Sequence, residues 1–126
     1  MTTSNSFPRL TPENHRTTSP ETTDYNCIAW AVQDMEHWWQ PGVHWPTSAA
    51  AGEYSIEVLQ DAFGTIGFQP CTDGNPETGY EKVAIYGDEV YYTHAARQLR
   101  TGKWTSKLGA AEDIEHDAPE DVAGGV

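Results

Sequence analysis

The period of apolar and polar residues changes along this chain, and each change marks an element. From Thr23 or Asp24, either of which can cap free backbone amides, apolar residues recur at helical spacing as far as Met35. Ile28, Ala31, Val32 and Met35 form that stripe and predict a first helix. The next stretch, MEHWWQPGVHWP, gathers Trp38, Trp39 and Trp45 around Pro41-Gly42 and predicts a turn-rich aromatic loop. Ile56, Leu59 and Phe63 share one face of a second helix, predicted from Glu53 to Phe63 with Gly64 near its end. GFQPC fits a short edge strand, because its proline has no amide to donate to a ladder, and CTDGNPETG is a loop.

From Tyr80 the period falls to two. Lys82 to Tyr86 alternates with Val83 and Ile85 inward, and Gly87-Asp88-Glu89 turns the chain. Val90 to Gln98 predicts a longer strand with Val90, Tyr92, His94 and Ala96 on one face. Arg100-Thr101-Gly102 reads as a three-residue hairpin loop, its glycine supplying the positive φ of the accompanying bulge. That loop pairs Leu99 with Lys103, Gln98 with Trp104, Ala96 with Ser106 and His94 with Leu108. The apolar faces of the two strands then coincide, with Trp104, Ser106 and Leu108 on the returning one. The predicted fold is α+β, with two helices on an antiparallel sheet of three or four strands spanning residues 23–109. Residues 1–22, poor in large apolar groups, are expected as a disordered or extended arm. Residues 110–126 are expected as an acidic tail, with six acids from Glu112 to Asp121.

Composition narrows the function. The 126 residues carry 7 Lys and Arg against 19 Asp and Glu, a net charge of −12. Nucleic-acid binding requires a basic face that this chain does not have, so that class is excluded. The acidity suits a basic or neutral partner, or solubility alone. No apolar run is long enough to span a membrane, and the N-terminus lacks the basic-then-apolar layout of a signal peptide, so a cytoplasmic location is expected. Two cysteines, Cys27 and Cys71, are expected as thiols there, a bridge between them requiring export.

The candidate chemistry begins at Cys27, in the first turn of the first predicted helix, where free amides and the helix dipole favour a thiolate. His94, on a later strand expected to face that helix, is the candidate base. Ser106, diagonal to His94, is the candidate third member, with Glu112 or His116 as substitutes if the tail folds back. The Asn26 side chain and the Cys27 amide are candidate oxyanion donors, although Asn26 equally fits a helix cap. Trp38, Trp39 and Tyr25 could line a groove for peptide or sugar, or could supply core area. Cys27, Cys71, His37, His44, His94 and His116 include no pair with the close spacing of zinc ligands, so no metal is expected, and no cofactor.

The pieces YNCIAWA, VAIYGDEVYYTHAARQ and GKWTSKLG, spread over residues 24–109, resemble an uncharacterised family of small bacterial domains. More distantly the layout is similar to NlpC-type and other papain-like cysteine hydrolases, with a helix-borne cysteine ahead of a histidine-bearing strand. In NlpC-type enzymes the histidine precedes the strand matching VAIY, and that slot is Lys82 here. The resemblance therefore implies a Cys27–His94 dyad cleaving an amide or isopeptide bond of a peptide or protein through a thioester. The alternative is a non-catalytic module that binds protein or peptide on the same scaffold.

Overall fold

The computed structural model describes residues 8–71, 73–88, 90–108 and 112–123. Residues 1–7 of the expected arm, Thr72 in the loop, Glu89 in the expected turn, and 109–111 and 124–126 of the expected tail lie outside them. The fold is α+β. Strands β1 (His15–Ser19), β2 (Val83–Gly87), β3 (Tyr92–Gln98), β4 (Trp104–Lys107) and β5 (Asp113–His116) form one antiparallel sheet in the order β1-β5-β4-β3-β2. Helices α1 (Cys27–Ala31) and α2 (Ile56–Gly64) lie between β1 and β2 in sequence, and a short 3-10 turn covers Pro119–Val122. No helix among the described residues is long and apolar enough to cross a membrane.

The sheet has five strands rather than three or four. The extra two come from segments expected as arm and tail. β1 reads HRTTS and β5 reads DIEH, so neither shows an apolar alternation. They pair with each other through His15–His116, Arg16–Glu115 and Thr17–Ile114, and Arg16 bonds Glu115 at 2.7 Å. The hairpin register of β3 and β4 is the predicted one, with Gln98 opposite Trp104 and Gly102 at φ 92°. GFQPC is irregular; there Phe68 folds back so that its ring lies 5.8 Å from that of Phe63.

α1 is much shorter than its apolar stripe. It ends in a Schellman arrangement: Gln33 adopts φ 66°, its amide bonds the Trp30 carbonyl at 3.0 Å, and the Asp34 amide bonds Ala29 at 2.9 Å. The Asp34 carboxylate then takes the amides of Glu36 and His37, turning the chain away from the helix axis. Met35 consequently falls in a loop and is 56% exposed. α2 is capped by the Ser55 hydroxyl and buries Leu59, Ala62 and Phe63 as its spacing required.

Two cores lie on opposite faces of the sheet. On one, α1, α2 and Trp39 pack against Val83, Ile85, Tyr92 and Ala95. On the other, Leu10, Leu108, Ile114 and Val122 pack with Tyr86. The face of β3 that carries His94 is set by an irregularity. Tyr86 pairs with His94 but Gly87 pairs with Tyr92, so β3 holds one extra residue. Tyr92 therefore shares the helix-covered face with Ala95, while His94 shares the far face with its partner Tyr86. Gly87 permits this close approach, since a Cβ there would meet the Tyr91 carbonyl and lie 2.6 Å from the Ile56 side chain.

Candidate functional site

Cys27 opens α1, and its half-buried thiol sits in the core against Ala95. Burial pushes the thiol up to about 11, against a smaller downward pull from the Ala95, Ile28 and Cys27 backbone and from Lys107. The short helix and its free amides do not outweigh desolvation.

His94 does not face this thiol. The expectation that it points toward the helix rested on unbroken alternation from Val90 to Ala96, and the extra residue in β3 breaks that alternation after Tyr92. The His94 ring lies 5.3 Å from that of Tyr86, on the far face. Burial, with a smaller contribution from His116, pushes His94 down to about 3. A protonated thiol and a neutral imidazole thus lie on opposite sides of the sheet.

Ser106 meets His116 rather than His94. The His116 Nδ1 lies 2.9 Å from the Ala118 carbonyl, which can only accept, so Nδ1 carries the proton and Nε2 accepts from the Ser106 hydroxyl at 2.8 Å. This serine–histidine pair is enclosed, with exposures of 0% and 1%, and admits no substrate. Glu112 is half-buried just ahead of β5, its carbonyl accepting the Leu108 amide at 3.0 Å.

Asn26 is the N-cap. Its Oδ1 accepts the Ala29 amide and the Trp39 amide, both at 3.1 Å, and its Nδ2 donates to the Trp39 carbonyl at 2.8 Å. Both ends of the side chain are thus committed to tying the helix start to the aromatic loop. Asn26→Ala is expected to cost about 3 kcal/mol, from the lost cap and the stranded Trp39 backbone. A urea-denaturation midpoint within error of the parent would contradict this role.

The aromatic candidates divide between packing and partial exposure. Trp39 is buried and donates to Asp34 at 2.8 Å, while half-buried Trp38 donates to Gln40 at 3.0 Å. Tyr25 is buried, with its hydroxyl 2.6 Å from Asp113 and the Lys107 ammonium 5.3 Å above its ring. Burial, and next the Asp113 hydrogen bond, push Tyr25 up to about 12. The sequence reading passed over Lys107 and Asp113, whose charges gave no sign that they point inward.

Among the described residues, Asp34, His37 and His44 bring potential metal-ligand atoms within 4.8 Å of one another. The two imidazoles stack, however, with centroids 4.0 Å apart and planes only 14° from parallel. In-plane lone pairs on stacked rings do not converge on one ion. Asp34 is also engaged by His37 at 2.9 Å as well as by Trp39.

An open concavity lies elsewhere. A cleft of about 780 Å³ runs between the 76–81 loop, the end of β3 and the αL residue Gln33, with Glu77, Tyr80, Glu81, Arg97 and Arg100 among its walls. Its volume is in the range of small-ligand sites. The Arg97 guanidinium stands 5.0 Å over the Trp30 ring, and its enclosed Nε has no hydrogen-bond partner among the described residues. Sequence analysis does not single out this arginine, which lies between Ala96 and Gln98 on a strand with no motif around it to mark a binding role.

No curated protein and no solved structure matches this chain. One family model does, described as Domain of unknown function (DUF7689), over residues 16–126. The match reaches beyond the short motifs at both ends, taking in nearly all of β1 and all of β5. The chain belongs to the DUF7689 family, an uncharacterised domain.

Proposed function

We propose that this domain is a peptide-binding module in which Cys27 serves the core. The observation that carries the reading is the cleft beside α1, where a half-buried arginine braced on Trp30 presents a charge toward open space. The backbone at Gln33, the one non-glycine among the described residues with positive φ, forms part of the wall. Strain of that kind persists where the surroundings over-determine it, and binding sites are common among such places. The net charge of −12 draws a basic or neutral partner.

A thiol hydrolase on a papain-like layout is the second reading. It is supported by a cysteine at a helix start, backbone contacts to its sulfur, and Lys107 near enough to favour the thiolate. That reading needs a base on the α1 face, a place His94 does not occupy.

Iodoacetamide labelling of the native protein separates the two. For the binding module, Cys71, which is exposed, labels first at pH 7. Cys27 then lags by about 100-fold or more, as its small thiolate fraction dictates. Rapid labelling of Cys27 at pH 6 that His94→Ala abolishes would overturn the module in favour of the hydrolase.

A further inference from the structure

The binding-module reading leaves the ligand open, and the cleft's own chemistry narrows it. Two of the chain's seven Lys and Arg, Arg97 and Arg100, line this cleft beside Glu77 and Glu81. Glu81, the acid whose charge acts most on Arg97, is held instead by the Gln33 amide, whose Nε2 donates to both carboxylate oxygens at 3.1 Å. Glu77 is held by Lys82 at 2.7 Å. Both acids are thus tied to other partners and neither forms an ion pair with Arg97, although the Glu81 charge reaches it. Arg97 is partly desolvated and its guanidinium rests over an indole, a contact that restricts the side chain and lowers the entropic cost of a two-pronged contact.

We infer that the cleft takes the C-terminal carboxylate of a peptide that bears a basic side chain next to its terminus. The carboxylate pairs with the Arg97 fork, with Arg100 adding attraction. The basic group turns to the wall where Glu77 and Glu81 lie, and Tyr80, 75% exposed, packs on the terminal side chain. A phosphate is disfavoured because two fixed carboxylates line the same space and would repel a second negative charge. This inference rests on the binding-module reading and adds the ligand class to it.

The test is calorimetric titration of the full chain with acetylated Gly-Lys-X tripeptides, X varied over all twenty residues, each as free acid and as amide. The expected result is binding of a subset of the free acids, with their amides at least about ten-fold weaker. Arg97→Lys, which keeps the charge and loses the fork, should weaken the free acids by about ten-fold. Tyr80→Ala should weaken them without altering thermal unfolding, since the side chain is exposed. A Gly-Glu-X panel should bind at least about three-fold more weakly. Equal binding of acids and amides, or no effect of Arg97→Lys, overturns the carboxylate inference and leaves the module reading standing. Stronger competition by inorganic phosphate than by acetate overturns it in favour of a general oxyanion site. Absence of binding by every peptide overturns the inference and removes the cleft as support for the module.

Discussion

Replacing Lys107 by methionine is expected to lower the stability of the domain by about 3–5 kcal/mol, the usual consequence of removing one partner from a buried charged group. Lys107 has no exposed surface, and its ammonium donates to the Thr22 carbonyl at 2.7 Å while lying over the Tyr25 ring. Asp113 stands opposite it across the β4–β5 ladder, 2% exposed, and accepts from the Tyr25 and Ser19 hydroxyls at 2.6 Å each. Burial pulls the lysine pKa down, and the Asp113 charge opposes that pull most strongly. Methionine fills similar space, so the loss isolates the charge. It strands the Asp113 carboxylate in the core and the Thr22 carbonyl without this donor. The double variant Lys107→Met with Asp113→Leu should recover part of the loss, because two missing charges cost less than one unpaired charge. Urea midpoints measure all three, and an unchanged midpoint for Lys107→Met would remove the cluster from any account of stability.

Acidification is expected to weaken the fold well before most carboxylates titrate. His94 is held near 3 by burial against an ordinary value of 6.5, and His116 is shifted in the same direction for the same reason. Above about pH 6.5 neither the folded nor the unfolded chain protonates these rings, and their effect on stability is nil. Below it the unfolded chain takes up protons that the folded one refuses, so stability falls with pH until the folded pKa is reached. For His94 the slope is about 1.4 kcal/mol per pH unit, or about 2 kcal/mol lost at pH 5. Asp34 and Asp88, held below the usual carboxylate range by hydrogen bonds from neighbouring groups, extend the decline below pH 4. Urea midpoints at pH 7, 6 and 5 should fall steadily, and His94→Phe should flatten the curve. A flat profile in the parent would mean that the rings are reached by water or protonated in place.

What the sequence disclosed divides along the same physical lines. α2 was legible because Ile56, Leu59 and Phe63 repeat at the helical period and a serine caps them. The β3–β4 register was legible because a short loop and two matched faces leave little freedom. The early end of α1 was hidden, since Ile28, Ala31 and Val32 continue a convincing stripe that Gln33 and Asp34 interrupt by backbone conformation. β1 and β5 were hidden because polar residues are buried there: Asp113 is held by hydroxyls 88 and 94 residues away, and His116 by the Ser106 hydroxyl and the Ala118 carbonyl. The greatest consequence came from a single inserted residue. Alternation places Tyr92 and His94 together, and only the pairing with Gly87 and Tyr86 reveals that they part. Cys27 and His94 were paired on spacing, and the inserted residue sets His94 beside Tyr86.

The adjacency of β1 and β5 also fixes a timetable. Arg16 and Glu115 are 99 positions apart, so joining them closes nearly the whole chain into one loop, an entropic cost of about 4 kcal/mol beyond the constant of closure. During synthesis Tyr25 appears 88 residues ahead of Asp113. A nascent chain must therefore carry Tyr25, and later Lys107, without the Asp113 carboxylate until β5 is made. Folding is expected to be slow, with the β2–β3–β4 meander assembled first and β5 and β1 joining it afterwards.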